Sequence, residues 1–200
     1  RPAMRLDEKS VADYVRGNRI LVTGAGGSIG AELCRQLATC GPQAIILLGR
    51  GENSIVEVEY ALRRYGVDLV PVIADIRDEA KLEEVFADNA PHVVFHTAAH
   101  KHVHLMEGHP DEAVKNNVFG TANVAAACLN HGAATLVLVS SDKAVLPASV
   151  YGATKKVAED IVRGTGDANG IRTVVVRFGN VMRSRGSIIP LFEQQIKAGG

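Results

Sequence analysis

The chain has 200 residues, 46% of them hydrophobic, a size and composition suited to one core of sheet and helices and too small for a complete two-domain enzyme. Its 22 Lys and Arg balance 22 Asp and Glu, so no global field recruits nucleic acid or anionic lipid. Cys34, Cys40 and Cys128 form no CxxC pair, and neither a signal-like leader nor an apolar run of membrane-spanning length (roughly 18 residues) occurs, so reduced thiols in a cytoplasmic chain are expected. Attachment of a parent protein to the inner membrane would use a segment outside this chain.

Residues 1–17 read as a linker or leading helix, with the helical stretch over Glu8–Val15. Apolar runs follow at Ile20–Thr23, Ala44–Leu48, Leu69–Ile73, Val93–His96, Thr135–Ser140 and Thr173–Arg177. Helical periods lie between them, at Ile29–Thr39, Ile55–Tyr65, Glu79–Phe86, Asp111–Leu129 and Val150–Val162. Strands apolar on both faces, separated by helix-sized intervals, indicate parallel βαβ units rather than hairpins. The expected fold is α/β: a Rossmann-like doubly wound parallel sheet with helices on both faces, over residues 18–186. Residues 187–200 read as the start of a truncated substrate-binding region, the rest of which is expected to be missing.

The first strand runs through Thr23 into Gly24-Ala25-Gly26-Gly27-Ser28-Ile29-Gly30, and a helix follows. Glycines at 24, 27 and 30 permit a tight turn, bring backbone amides against a pyrophosphate and pack the helix on the sheet. The helix amino end then faces the phosphates. No Lys-Ser/Thr follows the glycines, so this is not a Walker loop. At the end of the second strand, where an acid often holds a ribose, stands Arg50, whose fork of donors suits a 2′-phosphate. NADP is therefore expected, with NAD as the alternative. Asp75 after the third strand either meets the adenine edge or makes a turn. Ile76, Ala98, Ala99, Lys101 and Asn116 complete the expected cofactor contacts.

Ser140-Ser141-Asp142-Lys143 lies just past the fifth strand, and Tyr151 and Lys155 share one face of the next helix. An ammonium beside a phenol favours phenolate, letting a tyrosine whose free pKa is about 10 exchange protons near neutrality. Tyr151 is thus the expected general base over a redox cofactor, with Ser141 holding the substrate oxygen and Lys155 also reaching the nicotinamide ribose. Asp142 and Lys143 exceed what a simple alcohol dehydrogenase needs. They read either as an acid and base for elimination or as a polar turn. Asn117 sits in a long helix, where it either braces the active-site backbone or caps. Histidines at 92, 96, 100, 102, 104 and 109 lack convergent partners for a tetrahedral metal, so no metal is expected and they read as loop or substrate-side groups, His102 among the latter.

The segments VTGAGGSIGAELCRQL, HTAAHKHVHLMEGHPDEAVKNNVFGTANVAAA, SSDKAV, YGATKKVAE and VRFGNVMRSRGSIIPLF closely resemble extended short-chain dehydrogenase/reductases of the capsular polysaccharide biosynthesis type, the UDP-N-acetylglucosamine 4,6-dehydratases and their C5-inverting relatives. The resemblance covers the chain from about residue 18 onward. It implies a UDP-N-acetylhexosamine substrate, a homo-oligomer in the complete protein, and oxidation at C4, loss of water across C5 and C6, and reduction at C6. It implies Tyr151 as the C4-hydroxyl base, Asp142 as the acid for the C6 hydroxyl, Lys143 as the C5 base, and Asn180 and Arg185 near the sugar diphosphate. Two positions depart from the family's frequent pattern. Tyr151 stands where long, membrane-attached members carry methionine, and Ser141 stands where threonine is more frequent.

Overall fold

A computed structural model describes residues 8–179 and 181. Six strands, β1 (Arg19–Thr23), β2 (Ala44–Gly49), β3 (Asp68–Ile73), β4 (Val93–His96), β5 (Thr135–Ser141) and β6 (Arg172–Phe178), form one sheet. Every pairing is parallel, in the order β3-β2-β1-β4-β5-β6. The order reverses between β1 and β4, and a parallel sheet opens a crevice for ligands at the carboxyl ends of the strands flanking such a point.

The sheet is covered on both sides, which is why β1 and β2 read as unbroken apolar runs. Side chains alternate across it. Ile20, Val22, Ile45 and Leu47 face a core with α1 (Glu8–Val15), α2 (Ser28–Ala38) and α3 (Glu52–Leu62). Leu21, Ile46, Leu48, Val94, Leu136 and Leu138 face the other, built with α4 (Glu79–Asn89), α7 (Gly120–Asn130) and α8 (Val150–Asn169). Each fully buried aliphatic side chain contributes about 1.5–3 kcal/mol, and Leu21→Ala, which opens a cavity under α7, is expected to cost about 2–5 kcal/mol.

Helix starts follow local chemistry. Asp78 caps α4 by accepting the Lys81 N–H at 3.0 Å, and Ser149 caps α8 by accepting from Gly152 N–H at 3.0 Å. The helix expected over Asp111–Leu129 is interrupted: α6 (Pro110–Val114) passes through a π-turn at Lys115–Phe119 into α7. A further short helix, α5 (Val103–Gly108), lies where no helix is expected from periodicity. It is too short to show a period and is held by Met106, packed with Ala113 and Tyr151.

Candidate active site

At the carboxyl end of β1 the chain turns through Gly24 at φ +70, and a Cβ there would lie 2.8 Å from the Ala98 backbone. Gly27 N–H donates to the Gly24 carbonyl at 2.9 Å and closes the turn. A Cβ on Gly30 would run into that same carbonyl, and one on Gly26 into the Ser54 side chain. The loop is thus made of backbone at separations only glycine allows. No side chain caps α2 at Gly27 and no acid stands in its first turn, so the positive end of the helix dipole meets the groove without a resident anion. Gly24, Gly27, Arg50, Asp75, Ala98 and Asn116 are among the groove's lining, as are Ile76 and Ala99. Thr23 lies beneath it, fully buried.

Arg50 is half exposed, and its guanidinium approaches Asp75 at 3.4 Å. Arg77 holds the same carboxylate more closely, by Nε at 3.0 Å and Nη2 at 2.8 Å, and its own N–H donates to Asp75 Oδ1 at 3.0 Å. Burial pushes the Asp75 pKa up, but the hydrogen bonds and charge of Arg77, with the charge of Arg50, bring it below the ordinary value. Asp75 therefore makes a turn and stands on the groove wall at once.

Ser141 ends β5, and Tyr151 enters the first turn of α8. Their approach depends on Gly152, where a Cβ would overlap the Lys143 carbonyl. Tyr151 is buried. Desolvation pushes its pKa up, against which act a hydrogen bond with Ser141 and the charge of Lys143, while Asp142 adds to the rise. Lys155 is also buried, and its Nζ donates to the Val139 carbonyl at 2.9 Å. Burial pulls its pKa down to about 8, with Glu159 opposing. The cation expected to act on Tyr151 is Lys155. The charge of Lys143 also bears on the Tyr151 hydroxyl, while Lys155, one turn along the same helix, directs its Nζ to β5.

Asp142 and Lys143 extend from β5 as an exposed pair, Nζ to Oδ1 at 3.1 Å. Ser141 Oγ donates to the same Oδ1 at 3.0 Å and accepts the Lys143 N–H at 3.2 Å. The hydrogen bond from Lys143, then that from Ser141, hold Asp142 below its ordinary carboxyl range.

The histidines divide. His102 and His104 lie at the start of α5 with ring centroids 6.2 Å apart. His92, in the loop before β4, accepts the Arg19 N–H at 3.0 Å, whereas His96 is buried at the end of β4 and so is not the loop or substrate-side group expected from sequence. Among the described residues no three His, Cys, Asp or Glu converge as a metal site. Lys101 is exposed in the loop before α5. Asn116 is buried and donates to Asn117 Oδ1 at 3.0 Å. Asn117 in turn clamps the His100 backbone, accepting its N–H at 2.8 Å and donating to its carbonyl at 3.0 Å. Asn180, Arg185 and the segment 187–200 lie outside the described residues.

A family model described as polysaccharide biosynthesis protein matches residues 20–200. The chain belongs to that family, within the extended short-chain dehydrogenase/reductases. This polysaccharide biosynthesis family member is 51% identical to the probable polysaccharide biosynthesis protein EpsC of Bacillus subtilis, over all of this chain and 34% of that one. It is 35% identical to a UDP-N-acetylglucosamine 4,6-dehydratase (inverting) of Campylobacter jejuni, over 92% of this chain and 55% of that enzyme. The UDP-glucose 4-epimerase of Brucella ovis, solved in complex with NAD, superimposes with a TM-score of 0.71 at 28% identity, over 82% of this chain and 52% of the epimerase. The chain thus spans from a third to about half of the length of these relatives. Among its described residues no helix is long and apolar enough to cross a membrane.

Proposed function

We propose that this chain supplies the dinucleotide-binding and proton-transfer part of a UDP-N-acetylhexosamine 4,6-dehydratase acting in polysaccharide biosynthesis. The observation that carries the reading is the convergence at one strand end of Ser141, buried Tyr151 and the Asp142–Lys143 pair. The glycine loop fits a nicotinamide dinucleotide, since a Cβ at Gly24, Gly26 or Gly30 would meet protein atoms and leave no close backbone approach for its phosphates. A bound nicotinamide would supply the hydride acceptor and donor for C4 and C6.

The chain's own groups move the protons. Ser141 Oγ holds the C4 oxygen, and Tyr151 Oη takes its proton as hydride leaves carbon. Burial works against the phenolate, so the nearby cation of Lys143 supports this step. Lys155 holds the nicotinamide ribose, as its position one turn below Tyr151 on the buried face of α8 allows. Lys143, once neutral, removes the C5 proton, and Asp142, once protonated, gives its proton to the departing C6 hydroxyl, which leaves as water; as C6 is reduced, the Lys143 ammonium returns a proton to C5. In the free chain the two are paired at 3.1 Å, and the hydrogen bond and charge of Lys143 favour the ionised form of Asp142. Substrate must part them, so that Asp142 faces the C6 hydroxyl and Lys143 the C5 carbon.

Arg50, half exposed on the groove wall and only loosely paired, supports NADP over NAD. The mutual pairing of Asp142 and Lys143 favours one second reading, a 4-epimerase that uses Tyr151 and Ser141 and leaves the pair as a turn. Proton NMR of UDP-N-acetylglucosamine incubated with the full-length protein in deuterated buffer tests the two. A new C6 methyl with deuterium at C5 establishes the dehydratase, and its ring couplings give the C5 configuration. Inversion at C4 with C6 intact establishes the epimerase.

A further inference from the structure

Between the dinucleotide groove and the helix that carries Tyr151 lies His96, 1% exposed at the end of β4. A leucine or valine would fill that position at the centre of the sheet without polar atoms to satisfy, and a buried polar network costs free energy unless every member is paired. Here every member is. His96 Nε2 meets Thr121 Oγ1 at 3.0 Å, and Thr121 spends its one hydroxyl proton on the Asn117 carbonyl at 2.6 Å. Thr121 can therefore only accept from the imidazole, so Nε2 carries a proton. On the other side Nδ1 meets Thr23 Oγ1 at 2.7 Å, and Thr23 in turn accepts the Ala98 N–H at 3.3 Å. Thr23 donates and Nδ1 accepts.

We propose that His96 is a positioning residue, a neutral imidazole fixed as the Nε2–H tautomer that links the backbone lining the dinucleotide groove to the helix that carries Tyr151. One end of the chain of bonds is Ala98, whose backbone abuts Gly24. The other is Asn117 in the π-turn, whose side chain donates to Thr154 Oγ1 at 3.2 Å, and Thr154 donates to the Tyr151 carbonyl at 2.9 Å. The π-turn sits where the chain of bonds crosses into the helical layer, and such turns often mark functional sites. Burial, then the charge of Lys155, pull the imidazole pKa down to about 3, so it stays neutral across the working range. Seating a ligand on Ala98 is thereby felt at the backbone of Tyr151 through groups with no freedom to rotate their donors. The inference rests on Tyr151 acting over a bound dinucleotide and holds whether the product is a 4-keto-6-deoxy sugar or a 4-epimer.

Nitrogen-15 NMR of histidine-labelled full-length protein reads the proposal directly. The expected His96 signals are those of a neutral Nε2–H imidazole that does not titrate between about pH 5 and 8 and that move when NADP or NAD is added. A protonated Nδ1, an ordinary histidine titration, or signals indifferent to dinucleotide would overturn it. Kinetics give the second arm. Thr121→Val, which leaves the imidazole N–H without an acceptor, is expected to lower kcat about tenfold with dinucleotide Kd changed less than about twofold, and Thr121→Ser to restore most of the loss. An unchanged kcat in Thr121→Val, or equal losses in the valine and serine variants, overturns the positioning role. Should the wild-type protein turn over neither sugar reaction, the proposed function fails while the NMR arm still decides this one.

Discussion

The two halves of the site are built from different materials. The dinucleotide half, around Gly24–Gly30, is backbone at close quarters, and its specificity lies in side chains that are absent. The catalytic half, around Ser141–Tyr151, is a set of polar side chains whose charge states depend on one another. Sterics fix the first before any ligand arrives. The second rests in a self-paired state that the proposed substrate would have to rearrange.

If that contrast is right, damage to the catalytic half should show in turnover and damage to the glycine loop in binding. Tyr151→Phe removes the proton carrier while keeping the ring that packs with Met106 and Ala113. It is expected to lower kcat about a thousandfold, with dinucleotide Kd within about twofold in a titration. A parallel loss of dinucleotide binding would break the contrast. Gly24→Ala forces a side chain into a left-handed position and against the Ala98 backbone. An expected penalty of about 2–3 kcal/mol, on the order of 100-fold, should appear in dinucleotide affinity measured by calorimetry.

A third test sharpens the comparison by separating stability from activity. Lys155 loses its proton at about 8 when folded, against an ordinary 10.5. A folded-state pKa lowered in this way means that burying the cation costs stability, in full below about 8 and progressively less as pH rises to the unfolded value, where both states are neutral. Lys155→Met is therefore expected to stabilise the fold by up to about 3 kcal/mol at neutral pH while abolishing turnover, the gain fading as the pH is raised. Denaturant titrations at neutral and alkaline pH check the sign. The smallest expected effect is at Arg50, where Arg50→Ala should weaken NADP binding about tenfold and leave NAD unchanged. Equal weakening of both would remove the 2′-phosphate role.

The strands, their parallel order and the glycine turn were legible because each has a local cause: apolar runs, helix-sized intervals, and glycines spaced for one known turn. The Tyr151–Lys155 spacing was equally plain. A four-residue interval places two side chains on one face but says nothing of where the ends point, and Lys155 turned back to Val139. His96 was hidden for another reason. Its partners Thr23 and Thr121 are far apart in the chain, and only the β1–β4 pairing, Thr23 opposite His96, brings the first of them alongside. The π-turn leaves no periodic mark either, since one extra residue in a turn shifts the helical phase without breaking the apolar pattern.

That pairing also orders events while the chain is being made. β1 meets β2 after some twenty residues, but its other edge is completed only by β4, at Ile20↔Val93 through Thr23↔His96. Until β4 has been made, the nascent chain carries a central strand with the apolar run Ile20–Val22 and one edge unpaired, the kind of surface that aggregates. The Ala98 backbone that abuts the glycine loop arrives later still.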